Sequence, residues 1–119
     1  MLINTPWLIA NPCDDEYDDM AMLCCHGDNG ELFSLSRFPD EAQVEVSVGD
    51  ERSLAVGSLR VTLEPARLLI ELEPGDAASL TGPEPVEIRH ATDADDLAEV
   101  DSTLRIILAG VGTYVSQIT

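Results

Sequence analysis

The chain has 119 residues, of which 23 are acidic and only six are basic, all six arginines, for a formal net charge of −17. Such a field repels nucleic acid and anionic membrane surfaces, and no basic patch is present to offset it, so direct binding to either is excluded. The length suits a single domain over 1–119, and a hydrophobic content of 45% is enough for a core without disulfides or a structural metal.

In chain order, Thr5 to Ala10 reads as a first edge strand, with Pro6 tolerated at its start and Asn11-Pro12 closing it. The block Asp14-Asp15-Glu16-Tyr17-Asp18-Asp19 is too polar for a core and is expected as an exposed loop. Met20 to Arg37 reads as a β-hairpin. Its two apolar stretches flank Gly27-Asp28-Asn29-Gly30, and Asn-Gly supplies the positive φ angles of a tight turn.

Val44, Val46 and Val48 alternate with Glu45 and Ser47, Leu59, Val61 and Leu63 with Arg60, Thr62 and Glu64, and Leu68, Ile70 and Leu72 with Leu69, Glu71 and Glu73, which gives three strands with one buried face each. The simplest arrangement is one antiparallel meander over Ala42 to Glu73. Gly49 to Arg52 reads as a turn, Ser53 to Val56 as an extension of the following strand, and Gly57 as a bulge or a close backbone approach. Asp76 is positioned to cap one helical turn over Ala77 to Leu80, stopped by Gly82, and Val86 to His90 alternates as a further strand.

Asp93 to Ala109 is the clearest helix. Leu97, Val100, Leu104, Ile107 and Leu108 recur at spacings of three and four, Thr92 or Asp93 can cap it, Asp101 and Arg105 are spaced to pair, and Gly110 is placed to end it. Tyr114, Val115 and Ile118 leave open a last strand or a loose tail. The expected fold is therefore α+β: a mainly antiparallel sheet with one C-terminal amphipathic helix packed on one face.

Chemistry is less legible. Cys13, Cys24 and Cys25 are an odd set with an adjacent pair, a poor disulfide framework that fits a reducing compartment. No basic region precedes the short apolar run Trp7-Leu8-Ile9-Ala10, and no apolar run is long enough to span a bilayer, so a cytoplasmic protein is expected. Cys24-Cys25-His26 lacks paired zinc-ligand spacing, and adjacent strand residues face opposite ways, so no metal or other cofactor is expected. His26 and His90 can be combined on paper with Ser34 or Cys25, but no catalytic motif surrounds them and no enzyme activity is expected. The acidity either keeps the chain soluble or complements a basic protein partner. In the second case the expected contact residues are Asp14, Asp15, Glu16, Asp18 and Asp19, aided by Asp28 and Glu31.

The order Leu32-Phe33-Ser34-Leu35-Ser36-Arg37, then Val61 to Leu72, then Val86-Glu87-Ile88, then Leu104 to Leu108, resembles the immunity proteins of bacterial polymorphic-toxin systems, and among them the immunity protein ten family. The resemblance implies a small cytoplasmic protein that binds and inhibits a cognate toxin, with acidity suited to a basic toxin domain. Two other functions fit the residues alone: an assembly protein that forms a homodimer through a sheet edge, and a domain that binds a small ligand or metal between helix and sheet.

Overall fold

A strand with one apolar face must bury it, and here two sheets bury theirs against each other. In the computed structural model, which describes residues 1–49, 52–80 and 85–118, those residues form ten strands, two helices and a 3₁₀ turn. In chain order they are β1 (Leu2–Asn4), β2 (Ile9–Asp14), the 3₁₀ turn (Asp15–Tyr17), β3 (Met20–His26), β4 (Leu32–Arg37), β5 (Val44–Val48), β6 (Arg52–Val56), β7 (Leu59–Glu64), β8 (Arg67–Leu72), α1 (Pro74–Leu80), β9 (Val86–Arg89), α2 (Ala94–Leu108) and β10 (Thr113–Ser116). One sheet has the order β1-β9-β8-β7-β10 and the other β2-β3-β4-β5-β6. All neighbours are antiparallel except β1 with β9 and β10 with β7. The α+β class, the antiparallel bias and the C-terminal helix agree with the sequence.

The expected single meander divides in two. β5 and β6 belong to one sheet and β7 and β8 to the other, with Gly57 and Ser58 as the crossing. Gly57 is neither a bulge nor a close approach, since a Cβ there would only touch Gln43 at 3.8 Å. Ser53 to Val56 forms a strand of its own, because five residues returning along β5 satisfy its edge. Part of the expected turn before it, 50–51, lies outside the described residues.

Similarly, only Ile9 and Ala10 of the expected strand from Thr5 to Ala10 are in a strand, β2, which runs on through Asn11-Pro12 instead of closing there, and Thr5 to Leu8 is the other crossing. Pro6 has no N–H for a ladder, so the strands fall on either side of it. The crossing is pinned by Thr5 N donating to the Arg89 carbonyl at 2.9 Å and Leu8 N donating to Thr92 Oγ1 at 2.9 Å. Thr92 is therefore not the helix cap. Asp93 holds that position, without a side-chain capping bond. The short helix α1 begins earlier than expected, because Pro74 fits the first helical turn and Asp76 lies inside it. The expected stop at Gly82 lies outside the described residues.

Ile3, Val61, Leu63, Ile70 and Ile88 from one sheet join Leu23, Phe33, Leu35 and Val46 from the other in one apolar cluster. The stripe Leu97, Val100, Leu104, Ile107 and Leu108 enters the same cluster, and α2 lies against β2, β3 and β4 and against β10. Arg37 fixes its far end, donating from Nη1 to the carbonyls of Ile107 and Ala109 at 3.1 and 2.6 Å, where the helix dipole is negative. Gly110, at φ 72°, then turns the chain away. Gly112 lets the tail approach β7, since a Cβ there would collide with the Leu59 carbonyl. The tail is thus a strand, and Tyr114 Oη donates to Asp101 at 2.6 Å while Asp101 also accepts from Arg105 at 3.0 Å. No described helix is long and apolar enough to cross a membrane.

Leu104 is fully buried at the centre of the stripe. Leu104→Ala is expected to destabilise the protein by about 2–5 kcal/mol in chemical denaturation. A loss smaller than about 0.5 kcal/mol would mean that this face is not core.

Candidate protein-binding site

The acidic block closes the hairpin between β2 and β3. A register shift between Asn11 and Asp14 loosens the end of β2, and Asp18 and Asp19 adopt left-handed backbone angles, φ 55° and 62°. Aspartate tolerates that region better than most residues because its short side chain bonds locally. Asp15, Glu16, Asp18 and Asp19 are all exposed. The Cys13 thiol donates to Asp19 Oδ1 at 3.4 Å.

Asp40 and Glu41, two acidic residues that the sequence did not single out, join this end. Asp18 shares a depression of about 570 Å³ with Phe38, Pro39, Asp40 and Glu41, so the β4–β5 turn lies beside the acidic loop. The signal was available in Phe38-Pro39-Asp40-Glu41, but only the sheet order brings it to the block. Asp28 and Glu31 lie elsewhere. They sit in the β3–β4 turn, at the other end of β3, roughly 20 Å away for a seven-residue strand. Glu31 also serves the turn itself, accepting from Asn29 N at 3.1 Å. The seven expected contact residues therefore form two acidic ends, not one patch.

The outer faces of the two sheets differ. On the β1-β9-β8-β7-β10 sheet, ion pairs run over the surface: across strands, Arg60 with Glu71 at 3.9 Å and Arg67 with Glu64 at 2.6 Å and Glu87 at 3.2 Å, and within β9, Arg89 with Glu87 at 2.9 Å. The Glu87 carboxyl is held below its ordinary range, chiefly by the hydrogen bond from Arg89. On the other sheet, the register aligns Ile9, Cys24, Ser34, Ser47 and Ser53 in one outward row. The adjacent row is Asn11, Met22, Ser36, Glu45 and Ala55. Glu45 is the one charged residue in these two rows. Charge is thus paired on one face and sparse on the other, and exposed carboxylates cluster at the hairpin ends.

The remaining chemical candidates separate in space. Cys25 is buried and Cys24 is half-buried on the opposite face of β3, so the pair cannot serve one ion. Burial raises both thiols, Cys25 to about 12 with help from Cys24 and Glu31. Cys13 instead approaches Asp15 and Asp19, with ligand atoms within 4.8 Å of one another. Three exposed groups of mixed sulfur and oxygen type fall short of a closed zinc site. His90 is buried, its Nδ1 facing the Thr92 N–H at 3.4 Å, and its Nε2 has no partner among the described residues. The one bond to an imidazole found among the described residues is that from Thr92 N to His90 Nδ1.

The chain matches no known protein family, no curated protein and no solved structure.

Two outcomes follow from the buried groups. Cys25 is expected to stay unmodified by iodoacetamide at about pH 8 in the native protein and to react on denaturation, because almost no thiolate is present. Native-state labelling of Cys25, read by mass spectrometry, would contradict its burial. For His90, burial lowers the pKa, while the carbonyls of Arg67 and Glu64 favour the charged ring without reaching hydrogen-bond geometry at Nε2. The unfolded chain thus binds a proton that the folded one resists, so the His90 contribution is complete above about pH 6.5 and declines as pH falls below it. His90→Gln should flatten the stability curve between about pH 6.5 and 5, above the range in which most carboxylates titrate. An unchanged slope would show that His90 does not govern it.

Proposed function

We propose that the chain is a non-catalytic binding protein that neutralises a basic toxin domain in the cytoplasm, as the immunity proteins it resembles do. The observation that supports this most is the charge distribution. Arg37, Arg60, Arg67, Arg89 and Arg105 are engaged by carbonyls or carboxylates of the chain itself. The carboxylates of the β2–β3 loop and the β4–β5 turn project into solvent beside one another. A stability role for them is poor, since crowded like charges repel. A basic partner gains from them in encounter rate.

The homodimer through a sheet edge has less support. α2 lies along β2 and β10, α1 lies against β6, and β1 is three residues long, so the edges offer little unpaired backbone.

The test uses any toxin domain found to be encoded beside this gene. Asp14, Asp15, Asp18 and Asp19 replaced together by asparagine, which keeps the left-handed backbone accessible, should slow association about tenfold at low salt and flatten its salt dependence. Dissociation should change less. Equal on-rates and equal salt slopes in stopped-flow would remove the block from the interface. Failure of the wild-type chain to bind that domain would remove the toxin-neutralising function itself.

A further inference from the structure

We infer that the outer face of the β2-β3-β4-β5-β6 sheet is the centre of the binding surface, and that its occupant is a basic protein partner with an apolar contact patch. This rests on the proposed role as a binder of a basic protein and specifies where that partner sits. In an ordinary domain the solvent face of an antiparallel sheet is polar and charged, as the other sheet here is. The two outward rows that carry Glu45 as their one charge depart from that pattern within a chain of net charge −17. The centres of protein interfaces are depleted of charge, while their rims keep it.

The rim is present as well. Asp15, Glu16, Asp18 and Asp19 flank one end of β3, and Asp28 and Glu31 flank the other. Between them lies a shallow hollow of about 250 Å³ lined by Met22, Cys24, His26, Leu32, Ser34 and Ser47 among others. Ile9 and Trp7, 39% and 57% exposed, stand at the start of the outer strand, and exposed tryptophan is a frequent anchor of binding energy. Five strands about 4.8 Å apart and about 20 Å long present on the order of 400 Å². One side of a standard interface is about 800 Å², which the sheet face reaches together with its two acidic ends.

Charge decides the occupant. A second copy of this chain laid on the face would bring its own acidic ends near those of the first, which is repulsive. A partner with lysine or arginine around an apolar centre meets both features at once.

The probe is a lysine-rich β-hairpin peptide with leucines on one face, compared with the same peptide carrying serines in their place, each followed by amide chemical shifts. The leucine peptide should perturb Met22, Cys24, Ser34 and Ser47, leave Thr62 and Leu69 unmoved, and bind about tenfold more tightly than the serine peptide, as burying leucine predicts. Ser34→Lys and Ser47→Lys, both on the outward face, should each weaken the leucine peptide by about tenfold without lowering the melting temperature. Shifts centred on the ion-paired sheet or on α2, equal affinities for the two peptides, or no binding would overturn the proposal. So would a sedimenting dimer that Ser34→Lys dissociates, which would make a second copy the occupant. Should the peptide map to this face while no toxin domain found beside the gene binds, the surface stands and the toxin-neutralising role falls.

Discussion

The mutual burial of two apolar sheet faces is the constraint on which the rest depends. Apart, each sheet would leave a row of valine, leucine and isoleucine in water. The chain satisfies both by crossing between them at Thr5–Leu8 and again at Gly57-Ser58. Once the inner faces are committed to each other, each sheet has one outer face left. α2 fills the side along β2 and β10, and α1 joins β6 to β8. What the protein can do at its surface is then a matter of how its charge is arranged on the two outer faces and at the strand ends.

That arrangement is uneven in a way that bulk composition does not require. The ion pairs Arg60–Glu71, Arg67–Glu64 and Arg89–Glu87 balance one face locally. Exposed pairs of this kind contribute little to stability, so their main consequence is a face with no strong net field. Further acidic side chains stand at the ends of the other sheet, around a face with almost no charge. Association with a basic protein would be accelerated by those ends and consolidated by the uncharged centre, two separable contributions to affinity.

Much of this fold was legible from local pattern. The hairpin around Gly27–Gly30, the alternation of β5, β7 and β8, the stripe of α2 and the pair Asp101–Arg105 all follow from periods of two and 3.6 and from turn chemistry. Features that depend on contacts between distant segments were not legible. Nothing near Gly57 in sequence says that the chain changes sheets there. The role of Gly112 depends on the Leu59 carbonyl, and that of Tyr114 on a carboxylate one helix earlier. The proposed binding surface shows the same division. Asp14 to Asp19 is visible as a run, but Asp40 and Glu41 join it only through strand order, and Asp28 and Glu31 leave it for the same reason. The uncharged face is invisible until register aligns Cys24 with Ser34 and Ser47.

The central claim is that a basic partner docks on the sparsely charged sheet and leaves the ion-paired sheet exposed. Oxidative footprinting of the chain, free and in complex with any basic toxin domain found to bind it, tests it most directly. Met22 and Ile9 point outward on the first sheet, Leu69 and Leu2 on the second. The account predicts that complex formation slows oxidation of Met22 and Ile9 severalfold and leaves Leu69 and Leu2 unchanged. Protection of Leu69 and Leu2 with Met22 and Ile9 still reactive would contradict it.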